Sequence, residues 1–584
     1  MAKINGISRS AKQVLLHDVL YGCRLGLDPF LDLSQLSQEP AHWLKSKRHA
    51  IFILDKIIKE LRRAILIESE LRPLYFINFF GAPKKGSDGR MSALRLVRHG
   101  SYASKGKISL NDCILKSAYQ INTLPNLRTY AELLHGRKWL AARDLSDAFR
   151  QLQLHPDDQI YCGYSLFGFW FIDLHVAYGL SSSSANCQRF VELICSIFTK
   201  VCTRRHKQAP HDIAHCLNNI LAYIDDFLLV ADNRRDIDEI ERRFDLLLKK
   251  LGVIQSASKK VWATDSTVVF GWRWNLTDQT ISIPDNKYKE MRNVVARAIY
   301  CRCITFAMLK KINGKIMHYS QISRRAKMCL YSSTQAVHKY CNECGLSDNA
   351  ILLLPISIIT HWLRWYELIP TIRTATIASL IQRPSITHYG ACDASTTGAG
   401  FILAKNWGHY LFTEPYVTEW HINLKEAHAI ITLLRVCGNQ LSGQSLCLYI
   451  DNQAVIGAYG KSWSPSHIFM TFIWEIICLL HKYRCDVWME YIPSYANIPA
   501  DALSRQQLTK FHKYARNHNW AISPNPICTQ ASMKFDHPMH IPLQEQKEEF
   551  KRFKEWIDTP THQRPARWWA PQLKKLFPLF ATEQ

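Results

Sequence analysis

Apolar residues recur at helical spacing from Ile51-Phe52-Ile53-Leu54 through Ile57, Ile58 and Leu61, so residues 1–75 are predicted to be helical. Residues 81–107 are rich in Gly, Ser and Lys and read as loops around a short strand, Leu94 to Val97. Strand and helix patterns mix over residues 139–300. Residues 301–380 read as mostly helical. Residues 385–505 return to α/β alternation, and the tail from about 506 carries Trp568-Trp569, prolines and basic residues with no readable period. The pattern predicts five segments: 1–75, a helical extension; 76–285, mixed; 286–384, mostly helical; 385–506, α/β; and 507–584, a basic extension. At 584 residues the chain exceeds what one core can serve.

Charge narrows the classes. The chain has 73 Lys+Arg against 49 Asp+Glu, a net charge of +24, which favours a polyanionic partner such as nucleic acid. The 18 cysteines are scattered and Met1–Gln13 has no apolar core, which fits a reduced intracellular compartment, cytoplasm or nucleus, rather than secretion. Cys341 and Cys344 have ligand spacing, but no second pair follows at zinc-ribbon distance. The apolar run Ile351–Ile359 is too short to span a bilayer, so no membrane role is expected.

The first concentration of chemistry is Leu221-Ala222-Tyr223-Ile224-Asp225-Asp226-Phe227-Leu228-Leu229-Val230. Two β-type apolar runs flank two aspartates, which reads as a hairpin with both carboxylates at its tip. Adjacent carboxylates repel unless a cation lies between them. Upstream, Trp139–Arg143 reads as a strand ending at Asp144. If it lies beside the hairpin, Asp144 meets Asp225. Two hard cations about 3.5–4 Å apart could then share these oxygens, activate a hydroxyl and steady a pyrophosphate. The helix that follows carries Ile237, Ile240, Phe244, Leu247, Leu248 and Leu251 on one face, with Asp232 or Asn233 to start it and Gly252 to stop it. It is scaffold.

The second concentration is spread over successive elements. A strand ends at Asp393, a helix carries Glu426, a strand ends at Asp451, and Asp501 lies in a helix opened by Asn497-Ile498-Pro499.

These motifs resemble reverse transcriptases joined to ribonuclease H. Tyr223-Ile224-Asp225-Asp226 resembles their YxDD motif, and Asp144–Phe149 their DxxxAF motif. The resemblance implies a right-hand polymerase (fingers, palm, thumb) followed by an RNase H-like α/β domain. It makes Asp144, Asp225 and Asp226 catalytic and metal-binding, and Phe149 the gate that excludes a ribose 2′-hydroxyl. It makes Tyr178, Gly179 and Gln188 nucleotide-binding, with Lys260 (from the pair Lys259-Lys260) a candidate to protonate pyrophosphate. Phe270, Gly271 and Trp272 resemble the primer-grip turn. Leu94–Tyr102 followed by Ser109-Leu110-Asn111-Asp112 resembles the finger pattern of DIRS-like retroelements, which use a tyrosine recombinase. Arg95 would then hold the triphosphate, with Lys84, Lys85 and Arg90 as further candidates. Asp393, Glu426, Asp451 and Asp501 resemble the D-E-D-D set of ribonuclease H. Implied cofactors are two Mg²⁺ per active site, with Mn²⁺ as an alternative. Implied partners are an RNA template, a DNA primer, dNTPs and the RNA–DNA hybrid. The oligomeric state is not legible.

The sequence departs from these patterns in places. Leu94 stands for a Trp, Ser184 for a Pro and Cys187 for a Phe, the primer-grip turn lacks a Leu, and Tyr491 stands where a His is expected. No protease motif precedes residue 80 and no integrase or recombinase signature follows 505. One product of a larger element, a decayed copy and a host-adopted gene all stay open. A non-catalytic nucleic-acid-binding descendant is a second reading, which the intact carboxylates oppose. An RNA-templated RNA polymerase is a third, opposed by Phe149 and the attached nuclease.

Overall fold

The computed structural model describes residues 17–18, 20–30, 36, 47–85, 91–103, 106–119, 125–166, 168–204, 219–323, 326–327, 329–382 and 385–533. Trp568-Trp569 and Arg90 lie outside them. So do the side chains of Lys84, Lys85 and Arg95, although their backbones are described. The chain divides into two compact units, Met1–Phe270 with Trp274–Gln279, and Gly271–Arg273 with Thr280–Gln584. The chain passes from one unit to the other between Phe270 and Thr280.

In the first unit, the described residues of the N-terminal region are not helical throughout. An amphipathic helix, α1 (Lys47–Arg62), turns Ile53 and Ile57 into the core and is followed by a short strand, β1 (Leu66–Glu68). The loops expected over 81–107 are largely a long antiparallel hairpin, β2 (Asn78–Lys85) and β3 (Met91–His99). Gly, Ser and Lys across this segment favour loops, and the cross-strand pairing sustains a ladder there instead.

The centre of this unit is a four-stranded sheet. Its strands are β4 (Trp139–Asp144), β7 (Ile220–Tyr223), β8 (Asp226–Ala231) and β9 (Val261–Thr264), in the order β7-β8-β4-β9. A second sheet pairs β1 with β6 (Phe169–Asp173) and β6 with β5 (Gly163–Leu166). Helix α2 (Leu127–Leu134) precedes β4, and α3 (Ser183–Arg204) contacts β7. Strand β8 is central and its Phe227–Ala231 run is buried, which explains an apolar sequence without alternation.

Helix α4 (Arg234–Lys250) covers that sheet. The Asn233 side chain caps it by accepting from Asp236 N, and the buried face is Ile237, Ile240, Phe244 and Leu248. Glu241 and Asp245 on α4 bind Arg143, whose side chain is fully buried at the end of β4. Burying that guanidinium requires both carboxylates, so the tip of β4 is fixed one residue before Asp144.

The second unit begins with helices α5 (Asp285–Cys301), α6 (Phe306–Tyr319), α7 (Tyr331–Asn342) and α8 (Ile356–Ile372). Two three-residue strands, Cys303–Thr305 and Ile351–Leu353, pair among them. No helix among the described residues is long and apolar enough to cross a membrane.

The remainder is a five-stranded sheet of β10 (His388–Ala394), β11 (Gly398–Leu403), β12 (Asn406–Leu411), β13 (Ser445–Ile450) and β14 (Asp486–Tyr491). Its order is β12-β11-β10-β13-β14. β10, β11 and β12 are antiparallel; β13 and β14 run parallel to β10. Helices α9 (Ile422–Cys437), α10 (Gln453–Lys461), α11 (His467–Lys482) and α12 (Ile498–Ser504) complete it.

The extension expected to begin at 507 is corrected in its first part. Helix α13 (Leu508–Asn517) buries Phe511 in one cluster with Ile402, Trp407 and Leu503, against which Trp520 and Ile522 also pack. Trp407 Nε1 donates to Ser523 O at 2.8 Å. Residues 508–533 therefore belong to the α/β domain. The signal was an aromatic spacing, Phe511 to Trp520, hidden among basic residues.

Candidate active sites

The β7–β8 hairpin carries Asp225 and Asp226 at its tip, but the residue that meets Asp144 is not the expected Asp225. Asp144 on β4 faces Asp226 on β8 in direct register. Asp225 occupies the turn, and its carbonyl accepts from Leu145 N at 2.8 Å. Asp144 therefore pairs across the ladder with Asp226, while its neighbour's amide holds Asp225.

The turn is strained. Ile224 has φ +54°, unusual for a β-branched residue. Gln188 on α3 braces it: Gln188 Oε1 accepts from Ile224 N at 2.7 Å and Gln188 Nε2 donates to Ala222 O at 3.3 Å. Gln188 is 1% exposed, so its expected contact with a nucleotide is corrected to a structural bracket beneath the aspartates. Cys187 Sγ donates to Ile224 O on the same side.

Burial pushes the Asp226 carboxyl up to about 7, reinforced by the charges of Asp225 and Asp144. Lys259 Nζ donates to Asp144 Oδ2 at 2.7 Å. Lys260, the sequence-based candidate, instead binds Asp245 at 2.6 Å and lies 3.8 Å from the Trp262 ring centroid. The lysine at the carboxylates is Lys259. A strand that starts at Val261 sends successive residues to opposite sides, and the pair alone did not say which one faced inward.

Around these groups, the Phe149 and Tyr178 rings meet edge to face at 4.7 Å. Gly179 has φ +102°, and a Cβ there would fall 1.8 Å from Arg98 O. Only glycine allows that approach. Asn111 brackets the same loop, with Nδ2 donating to Gly179 O at 3.0 Å and Oδ1 accepting from Ser181 N at 2.9 Å. The finger motif contained Asn111, but nothing in the sequence paired it with this loop.

The turn expected at Phe270-Gly271-Trp272 is present, with positive φ at Phe270 and Gly271. The Phe270 ring stacks on Tyr130 at 4.2 Å. The Trp272 side chain is 2% exposed and packs against His318 and Tyr319, so it is corrected from a primer contact to a core residue.

In the α/β domain, Asp393, Glu426 and Asp451 offer oxygen atoms all within 4.8 Å of one another, the one such metal-capable group among the described residues. Cys341 and Cys344 are exposed and form no such group. Asp393 sits on β10 opposite Gly400. A Cβ on Gly400 would meet Leu503 Cβ at 2.4 Å, so glycine lets α12 close on the sheet. That contact brings Ser504 Oγ to Asp393 Oδ2 at 2.5 Å. Ser494 Oγ donates to Asp451 Oδ2 at 2.7 Å, and Asn452 caps α10. Neither serine was foreseen. Asp501 lies outside the triad: Arg505 Nε donates to its Oδ1 at 2.6 Å and Lys510 Nζ is 3.5 Å from Oδ2. Tyr491, in the place of an expected His, is half exposed at the end of β14.

Burial pushes Glu426 up to about 9, with Asp393 and Asp451 adding to it. Burial likewise raises Asp393 to about 7, opposed by the Ser504 hydroxyl. Glu426 Oε2 is buried without a hydrogen-bond partner among the described residues. Three converging carboxylates with an orphaned oxygen fit a divalent, oxygen-seeking cation. In the first unit the fit is looser, since the Lys259 ammonium neutralises Asp144.

Residues 83–274 match the family model described as "Reverse transcriptase (RNA-dependent DNA polymerase)", about a third of the chain. That segment, holding Asp144, Asp225 and Asp226, is a reverse transcriptase domain. No characterised protein sequence matches the chain. Among solved structures, it is similar to a foamy viral protease-reverse transcriptase with double-stranded DNA, at 13% identity over 83% of this chain and 79% of that one, TM-score 0.44. A second structure of that protein with double-stranded DNA is 15% identical over 84% and 95%, TM-score 0.43. One with an RNA/DNA hybrid is 12% identical over 86% and 84%, TM-score 0.35.

Proposed function

We propose that the chain is an RNA-directed DNA polymerase joined to a ribonuclease H, copying RNA into DNA and cutting the RNA strand of the resulting hybrid. The observation that carries the reading is the in-register pairing of Asp144 with Asp226, with Asp225 in the turn beside them, inside the segment that matches the reverse transcriptase model. The nuclease half is supported by the Asp393–Glu426–Asp451 convergence on a 3-2-1-4-5 sheet. Fingers and palm would occupy 76–285, thumb and connection 286–384, and the nuclease domain the residues from 385, extended to at least 533 by the packing of α13.

The donor oxygens suit Mg²⁺, with Mn²⁺ as the alternative, held by Asp144, Asp225 and Asp226 in one site and by Asp393, Glu426 and Asp451 in the other, with Asp501 beside it. Bound divalent cations supply activation of the attacking oxygen and charge neutralisation at the leaving one. The protein does the rest. Gln188 holds the turn, Lys259 offers a proton-bearing ammonium beside Asp144, and Phe149 walls the sugar position. Ser504 and Ser494 orient Asp393 and Asp451. The substrates are an RNA template, a DNA primer and dNTPs, which the net charge of +24 favours. Leu94–Tyr102 and Ser109–Asp112 support an origin in a DIRS-like element, and the cysteine usage supports an intracellular site of action.

The test is extension of a DNA primer on RNA with Mg²⁺ and dNTPs, beside Asp225→Asn/Asp226→Asn. Hybrid cleavage is measured separately, beside Glu426→Gln. Incorporation and cleavage lost only in the matching variants support both halves. No activity with retained salt-sensitive hybrid binding would instead favour a non-catalytic binding protein.

A further inference from the structure

Helix α1 carries a carboxylate on its buried face. Ile53, Ile57 and Glu60 follow at helical spacing, and the Glu60 side chain is 13% exposed. It enters a cluster of four charges: Arg98 and Arg150 each bind both Glu60 and Asp173. Arg150 Nη2 lies 3.0 Å from Glu60 Oε2 and 2.7 Å from Asp173 Oδ1. The Tyr164 hydroxyl donates to Asp173 and accepts from Arg98 Nε. Two cations and two anions balance. Without Glu60, a positive charge would stand unpaired among side chains that are 3% exposed or less.

Both arginines also grip the chain next to the polymerase site. Arg150 Nη1 donates to His175 O at 3.1 Å and Val176 O at 3.3 Å. Arg98 N donates to Tyr178 O, and Arg98 O is the atom against which Gly179 is packed. Arg150 directly follows Phe149. One buried cluster therefore anchors both Phe149 and the loop that presents Tyr178, whose rings touch.

We propose that Glu60 is a specificity-determining positioning residue. Through Arg98 and Arg150 it fixes the spacing of Phe149 and Tyr178, and with it the room left for the sugar of an incoming nucleoside triphosphate. The inference rests on the polymerase reading above and gives the N-terminal helix a part in that site.

Two measurements on the full chain test it. Hydrogen exchange at the amides of residues 175–181 needs no activity. The ratio of dNTP to rNTP incorporation reads the gate. Glu60→Gln removes the charge and keeps the shape. Arg150→Lys keeps the charge and loses the fork onto the two carbonyls. Leu248→Ala, on the buried face of α4, is the destabilised control. Glu60→Gln and Arg150→Lys are expected to speed exchange selectively at 175–181 and to lower the ratio about tenfold, since small misplacements near the reacting atoms have large kinetic effects. Leu248→Ala is expected to leave the ratio unchanged. Exchange at 175–181 no faster than in Leu248→Ala, or a ratio that matches the parent's, would overturn the proposal. A parent that incorporates nothing overturns the polymerase reading, and the exchange data alone then decide whether Glu60 orders the loop.

Discussion

Lys259 Nζ lies 2.7 Å from Asp144 Oδ2, while the adjacent Lys260 is committed to Asp245. The two lysines thus do different work. Lys259→Ala removes the one ammonium hydrogen-bonded to Asp144 among the described residues and is expected to lower incorporation about 100-fold, the scale of a lost proton donor. Lys260→Ala breaks a half-buried ion pair and is expected to lower stability by about 1 kcal/mol with near-parental incorporation. Steady-state extension and thermal unfolding of both variants check this. The reverse pattern would return the role to Lys260.

Gln188 separates two accounts of the palm. As a bracket it satisfies Ile224 N, in a turn whose positive φ costs about 1–2 kcal/mol. Gln188→Leu leaves that amide without its acceptor, at about 1–3 kcal/mol, and lets Asp225 and Asp226 shift. The expected outcome is a lower kcat with an unchanged KM for dNTP. A raised KM at constant kcat would mean that Gln188 contacts the nucleotide after all.

The carboxylates were legible because strand ends and helix faces follow from local periodicity. Asp144, Asp226 and Asp393 needed only the right strands to be neighbours. Asp451 and Glu426 needed only their element ends and faces. What stayed hidden depends on pairing at long range. Glu60 reaches Arg98 and Arg150 through the docking of α1, and no local pattern encodes that. Which of Lys259 and Lys260 points inward depends on where β9 starts. The composition of the β2–β3 hairpin favours turns, while its stability comes from the partner strand. Residues 508–533 resemble a tail in sequence because their apolar positions are few and their partner, Trp407, lies about a hundred residues earlier.

Phe511 tests where the nuclease domain ends. Its ring is fully buried, 4.9 Å from Trp407. Phe511→Ala is expected to destabilise the second unit by about 3–5 kcal/mol, and truncation after Gln506 by more. Thermal unfolding followed by tryptophan fluorescence distinguishes these. A chain cut at 506 that melts like the parent would restore the earlier boundary.

Glu426 and Asp393 make a prediction about pH and metal together. Burial holds their carboxyls at about 9 and about 7, against about 4 in an unfolded chain. Between those values the folded protein binds more protons than the unfolded one, so stability falls as pH rises. The loss begins above about pH 4 and is complete once the pH passes the folded value of Glu426. Metal-free protein should therefore melt at progressively lower temperature from weakly acidic to alkaline pH. A divalent cation binds the ionised carboxylates and stabilises the folded state by mass action. Mg²⁺ should accordingly raise the melting temperature little at low pH and more as pH rises. Glu426→Gln removes the most displaced carboxyl and should flatten both the pH slope and the Mg²⁺ response. Calorimetry of the parent and the variant, with chelator and with Mg²⁺ across that range, measures both. A Mg²⁺ stabilisation independent of pH and retained in Glu426→Gln would locate the binding elsewhere than at Asp393, Glu426 and Asp451.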